Sequence, residues 1–105
     1  MWFKADSLEK ILKGEKTMTR RVPGVRSCEV GRVYRVRYGW SEKVKYHILI
    51  TRKFQEKLGA ISLEDVHKEG YGSLEEFKAA WIKLCGSWKP EQTVTVYEFK
   101  LLDSI

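Results

Sequence analysis

The sequence predicts a small α+β domain, with a curled or closed antiparallel sheet and short helices over its end. Three observations predict it. The chain has 105 residues, the size of a single domain, and at 43% hydrophobic and 12% aromatic it can fill one core. Several segments alternate in the manner of strands with one polar face. Helical segments between them are short and punctuated by capping residues and glycine. So many polar-faced strands in so short a chain favour a sheet that curls on itself.

Asp6 and Glu9 have the spacing of a capping box, and Leu8, Ile11 and Leu12 recur at helical spacing before Gly14. A helix is therefore expected over residues 7–13. Thr17-Met18-Thr19-Arg20-Arg21 is β-leaning and predicts a short strand, closed by Pro23-Gly24. Its alternation places Thr17, Thr19 and Arg21 on one side and Lys16, Met18 and Arg20 on the other. Residues 32–38 carry Tyr34, Val36 and Tyr38 on one face, and Gly39-Trp40-Ser41-Glu42 suits a hairpin connection. Over residues 43–53, Val44, Tyr46, Ile48 and Ile50 share one face and Lys43, Lys45, His47 and Thr51 the other. Ser62 and Asp65 open a second helix, which Gly70 closes. Ser73 and Glu76 form a further capping box, ahead of an apolar stripe of Leu74, Phe77, Trp81 and Leu84 that Gly86 ends. Residues 93–101 are expected to be the last strand.

The net charge of +6 is unevenly placed. Residues 1–53 hold 14 of the 20 Lys and Arg and 5 of the 14 Asp and Glu, a balance of +9; the remainder carries −3. A basic face attracts polyanions, RNA above all. The competing reading is a solvated Lys/Glu-rich surface of the heat-stable kind. No apolar run approaches the roughly 20 residues that cross a bilayer. No apolar h-region follows Met1-Trp2-Phe3-Lys4, so the protein is expected in the cytosol, away from membranes. Cys28 and Cys85 have no partner at metal-ligand spacing and are expected to be reduced, Cys85 in the core and Cys28 in a loop. His47 and His67 have no ligand neighbours. His47 is expected on the polar face of its strand and His67 on a helix surface. No metal, no cofactor and no phosphate-loop glycine pattern is expected.

The segment Lys16-Thr17-Met18-Thr19-Arg20-Arg21 concentrates a lysine, two hydroxyls and two arginines within six residues. Such a cluster suits phosphate or carbonyl oxygens; an edge strand kept soluble by charge is the alternative.

Ile11-Leu12-Lys13-Gly14-Glu15-Lys16-Thr17-Met18-Thr19-Arg20-Arg21 resembles the opening signature of the ASCH domain family, which is similar to the PUA superfamily of RNA-binding folds. Leu58-Gly59-Ala60-Ile61-Ser62, with Glu69-Gly70-Tyr71-Gly72-Ser73-Leu74-Glu75-Glu76-Phe77 and Trp81, looks like the family's middle segment. Val94-Thr95-Val96-Tyr97-Glu98-Phe99 looks like its closing strand. The resemblance spans nearly the whole chain. It implies one PUA-like domain over residues 1–105, an antiparallel pseudo-barrel with short helices covering the ends. It also implies a cleft beside Lys16-Thr17 that binds RNA or a nucleoside.

Some small proteins of the family look like amidohydrolases that deacetylate N4-acetylcytidine, using a Lys-Thr-x-Thr motif and a glutamate of the middle helix. Laid on this chain these are Lys16, Thr19 and Glu69. The resemblance implies Thr19 as nucleophile, Lys16 as its base and Glu69 as proton donor or orienter. Arg20 stands where the bacterial enzymes carry an apolar residue. A lysine base needs a pKa brought from about 10.4 toward about 7 to 8. Desolvation and the cations Arg20 and Arg21 would lower it, while Glu69 would oppose them.

Three functional classes follow. As an RNA-binding module, Lys16, Thr17, Arg20, Arg21, Arg26, Arg37, Lys43 and Lys45 would hold phosphates, and Trp40, Tyr38 or Tyr46 could stack on a base. For the tyrosines, core packing is the plainer reading. The second class is the small-molecule amidohydrolase. The third is a domain that meets a protein partner through the acidic helices of residues 62–76.

Overall fold

A computed structural model describes residues 1–24, 27–38 and 46–102, with residue 38 by its backbone alone. Arg26, Trp40, Val44, Lys43, Lys45 and the hairpin expected at residues 39–42 lie outside the described residues.

Strand β1 (Trp2–Phe3) leads into helix α1 (Ala5–Leu12) and edge strand β2 (Met18–Arg21). Strands β3 (Val33–Arg35), β4 (Arg37–Tyr38) and β5 (His47–Lys57) follow. A 3-10 turn at Leu58–Ala60, helices α2 (Leu63–Lys68) and α3 (Leu74–Cys85) and strand β6 (Thr93–Leu101) complete the order. The main sheet runs β2-β6-β5-β3, antiparallel throughout, and β1 pairs with β4 in parallel.

The sheet separates two apolar clusters. One holds Phe3, Leu8, Ile11, Cys28, Val36, Ile48, Ile50, Tyr97 and Phe99 under α1. The other holds Met18, Leu58, Val66, Phe77, Trp81, Val94 and Val96 under α2 and α3. Strand β6 feeds both, Val94 and Val96 to one face and Tyr97 and Phe99 to the other. In β5 the register against β6 shifts between Ile50 and Arg52. That irregularity reverses which face an even-numbered residue meets. Ile48 and Ile50 therefore serve the first cluster and Phe54 the second. The antiparallel sheet curls into a half-barrel as expected, with α1 packed on one cluster and α2 and α3 on the other.

Both caps of the middle helices form as expected: Ser62 and Ser73 accept the amides of Asp65 and Glu76. The expected first capping box does not form. The chain enters α1 from β1, Lys4 caps without a side-chain bond, and Asp6 falls inside the first turn, where its charge suits the helix dipole. The strand expected over residues 32–38 divides at Val36, because Arg37 leaves β5 to pair with Trp2. The strand expected to end at residue 53 continues to Lys57. Cys28 lies in a loop as expected but joins the core, and Cys85, expected in the core, does not. Cys28 is buried, its amide donating to the Tyr97 hydroxyl at 3.2 Å, and Cys85 is exposed at the end of α3. Leu84 is 57% exposed, because the apolar stripe of α3 rotates out of contact after Trp81. No helix among the described residues is long and apolar enough to cross a membrane.

Candidate active site

Two helix ends bring Lys16 and Glu69 together. At the end of α1, Gly14 takes φ +78, its amide reaches Ile11 O, and the Glu15 amide reaches Lys10 O. This is the Schellman pattern, and it reverses the chain so that Lys16 leaves the helix end. The end of α2 repeats it: Gly70 at φ +96 bonds His67 O, and Tyr71 N bonds Val66 O. Glu69 is the residue just before that glycine. The two turns pack so closely that a Cβ on Gly70 would lie 2.9 Å from Lys10 Cδ.

Lys16 is 6% exposed and Glu69 4%. Lys16 Nζ donates to Glu69 Oε1 at 3.0 Å and to Glu69 O at 3.1 Å. The second acceptor is one of the carbonyls that a helix end leaves without an internal partner. Burial pushes the Lys16 pKa below its ordinary 10.5; Glu69 opposes this by charge and hydrogen bond, and Arg21 and Lys10 reinforce it. The second cation is therefore Lys10, from α1, and not Arg20.

Arg20 points inward beside Met18 and meets the same carboxylate as Lys16. Its Nη1 donates to Glu69 Oε2 at 3.0 Å and to Met18 Sδ at 3.2 Å. Its Nη2 donates to Asp65 Oδ2 at 3.2 Å and to Glu56. Burial disfavours the Arg20 charge, but the bond to Glu56 and the field and bond of Glu69 outweigh it and raise its pKa. One arginine thus joins β5, α2 and the Lys16 partner. Glu69 accepts from Lys16 on one oxygen and from Arg20 on the other.

Thr19, 5% exposed, follows the alternation of β2 and shares a face with Arg21. Lys16 precedes the strand, yet it meets Glu69 together with Arg20, which also reaches Met18 Sδ, so the side expected for Lys16, Met18 and Arg20 forms; the helix-end turn, not strand alternation, brings Lys16 to it. Arg21 Nη2 donates to Trp2 O at 2.8 Å, and its guanidinium lies 4.9 Å from the Phe3 ring centre. Burial lowers its pKa.

Lys16, Thr19, Arg20, Arg21 and Glu69 line one cavity of about 220 Å³ at the free edge of β2. Trp2, Tyr71, Phe77 and Trp81 supply its aromatic walls. At the roughly 30 Å³ that a water occupies in the liquid, the space holds about seven waters. Thr17 is not in it: Thr17 lines a separate cavity of about 340 Å³, and its amide is held by Lys68 O at 2.8 Å. Arg37 is exposed on β4 and lines a cavity of about 720 Å³ with Trp2, Arg21, Tyr34 and Arg35. Tyr46 packs against the first apolar cluster. His67 is exposed, with Nδ1 3.0 Å from Tyr71 O, and His47 is half-buried. Among the described residues no three His, Cys, Asp or Glu side chains are placed to hold a metal ion.

Sequence reasoning did not find Trp2, Tyr71, Glu56 or Asp65 as members of the site. Trp81 was legible only as a core residue, because a helical stripe says nothing of what its far edge faces.

No known family model matches the sequence, and no curated protein matches it. Solved structures do. An ASCH domain from Lactobacillus crispatus superposes with a TM-score of 0.76 at 21% identity, covering 91% of this chain and 70% of that one. The chain has the ASCH fold. An ASCH protein of Zymomonas mobilis matches with a TM-score of 0.66 at 13% identity, covering 95% of this chain and 65% of its own. A protein of Enterococcus faecalis matches at 0.67 and 14% identity, covering 90% and 69%. The present chain therefore spans about two thirds of the length of these ASCH-fold neighbours.

Proposed function

We propose that this ASCH-fold chain binds a modified pyrimidine nucleoside in the Lys16 cavity and hydrolyses its exocyclic amide, N4-acetylcytidine being the model substrate. The observation that carries the reading is the buried Lys16–Glu69 pair. A neutral lysine amine has two N–H groups and one lone pair. Glu69 provides an acceptor for each N–H, through its backbone oxygen and Oε1. The lone pair then points away from Glu69 and is free to take a proton. Burial and the two cations favour that neutral form.

Thr19 is the nucleophile, since a hydroxyl attacks only when a base removes its proton. Its Oγ bonds the acyl carbon as Lys16 takes the hydroxyl proton. The tetrahedral adduct collapses, the C–N bond breaks, and the leaving amine takes the proton back from Lys16. Lys16 then takes a proton from water as the water oxygen bonds the acyl carbon; the bond from that carbon to Thr19 Oγ breaks, and Oγ recovers its proton from Lys16. Glu69 holds Lys16 in position throughout, and Arg20 holds Glu69.

Acetate release from N4-acetylcytidine by the purified protein tests this, with Thr19→Ala and Lys16→Ala alongside. The expected result is turnover by the wild type and a fall of ~100- to 10,000-fold in Lys16→Ala. Wild-type turnover in either variant would falsify the assignment.

A second reading, recognition of the nucleoside within RNA, is favoured by the +9 balance of residues 1–53. The arginines of the 720 Å³ cavity, which shares Trp2 and Arg21 with the smaller one, favour it too. RNA affinity that falls steeply between low and moderate salt supports it; a flat dependence excludes phosphate-led binding.

A further inference from the structure

Folded proteins pair the great majority of their buried polar atoms, and each exception asks for a reason. Among the described residues, three buried side-chain nitrogens lack a hydrogen-bond partner: Arg20 Nε, Arg21 Nε and Trp81 Nε1. All three residues line the Lys16 cavity. Their chemistry is shared as well, because indole and guanidinium N–H groups donate and do not accept. A ligand that satisfies them must bring acceptors.

Two of the three are held in place by their other contacts. Trp81 is 5% exposed, with its ring 6.2 Å from that of Phe77. Arg21 is tied to Trp2 O and lies over Phe3. Turning either donor toward water breaks those contacts. Arg20 differs, since both of its terminal nitrogens are already committed to carboxylates.

We propose that Arg21 Nε and Trp81 Nε1 seat the carbonyl oxygens of an acylated pyrimidine, Arg21 the acyl oxygen and Trp81 a ring carbonyl. The Arg21 half rests on the hydrolytic reading above. The division follows from position. Arg21 shares a face of β2 with Thr19, about 6.6 Å along the strand, and so stands on the side of the attacking hydroxyl. Trp81 belongs to α3, which walls the cavity from a different element. When Thr19 Oγ adds to the acyl carbon, the carbonyl electron pair moves onto oxygen, and a fixed N–H at that oxygen gains strength with the charge. When the C–N bond breaks, the pair returns to the carbonyl and the amine leaves with the Lys16 proton. The ring carbonyl of the base carries no such change, so its donor contributes to binding alone.

The two roles separate in kinetics. Arg21→Gln is expected to lower kcat on N4-acetylcytidine ~100- to 1,000-fold with KM nearly unchanged. Trp81→Phe is expected to weaken calorimetric affinity about 10-fold or more, measured in a Thr19→Ala background, with kcat little altered in the otherwise native enzyme. Wild-type affinity in Trp81→Phe overturns the ring seat. An Arg21→Gln protein that loses affinity and kcat in equal measure overturns the acyl seat. The unsubstituted protein offers a check that does not depend on folding of a variant. The Trp81 indole N–H resonance moves downfield as nucleoside is added, and an unmoved resonance removes Trp81 from the seat. A wild type that binds N4-acetylcytidine without cleaving it ends the hydrolytic reading and the Arg21 role together, while the Trp81 measurements still decide the ring seat. No binding at all overturns both seats.

Discussion

Replacing Arg20 by methionine takes the cation out of a cluster of three carboxylates. The Arg20 side chain is fully buried and its Glu69 partner is 4% exposed, whereas Glu56 and Asp65 keep 22% and 18% of their side-chain surface. Removing one member of a buried ion pair costs about 3–5 kcal/mol, because the remaining charge stays buried without compensation. The partly solvated Glu56 and Asp65 bonds add little to that. The lower end, ~3 kcal/mol, is therefore the expected loss. In a domain of this size each kcal/mol moves the melting temperature by roughly 4–8 °C, so the fall is roughly 12–24 °C. Thermal unfolding followed by circular dichroism reads it directly. Moderate salt should leave the difference standing, since buried pairs are screened far less than surface ones. The second variant, Arg20→Met with Glu69→Gln, should recover part of the loss, as the uncompensated charge is gone. An Arg20→Met protein that melts within about 2 °C of wild type would show that Arg20 is not the tie between β5, α2 and Glu69.

Three further outcomes follow from the same geometry. Burial places the Lys16 pKa below 10.5, so activity should rise with pH through a midpoint under that value. Glu69 raises this pKa, so Glu69→Gln should carry the limb to still lower pH; a limb at or above 10.5 refutes the buried-base account. The linked stability has a definite sign. Between the folded pKa and 10.5 the unfolded chain binds more protons at this site, so stability rises with pH there and Lys16→Met lacks that rise in urea titrations. Gly70→Ala should cost more than Gly14→Ala in thermal unfolding and should alone impair activity. Both lie at positive φ, worth roughly 1–2 kcal/mol for an L residue. Only at Gly70 does the new Cβ also meet Lys10 Cδ, at 2.9 Å, and Lys16 Cβ, at 3.5 Å. Equal losses in the two variants refute the role of that close approach.

Much of the fold was written locally. The serine caps of α2 and α3, the stops at Gly14, Gly70 and Gly86 and the last strand depend on residues within a few positions of one another, and periodicity finds such features. The triad of Lys16, Thr19 and Glu69 came from resemblance, and the structure brings all three to one cavity. Other features depended on contacts far apart in sequence. Strand β1 is two residues long and exists because β4 offers it an edge. Cys28 is buried because its loop packs against Tyr97, and Cys85 is exposed because it falls at the end of α3. Alternation placed Lys16 beside Arg20, and the two do meet, each on one oxygen of Glu69, but it is the Schellman turn and not the strand that brings Lys16 there. Arg20 looks the same in sequence whether it meets phosphate or carboxylate. Its direction is decided by Glu56, Asp65 and Glu69, which are 36, 45 and 49 residues away and become neighbours only when β5 and α2 fold against β2. Charge and hydroxyl content were fixed by composition; which of those groups remain available to a ligand was fixed by tertiary packing, because burial and pairing are properties of neighbours and not of residues.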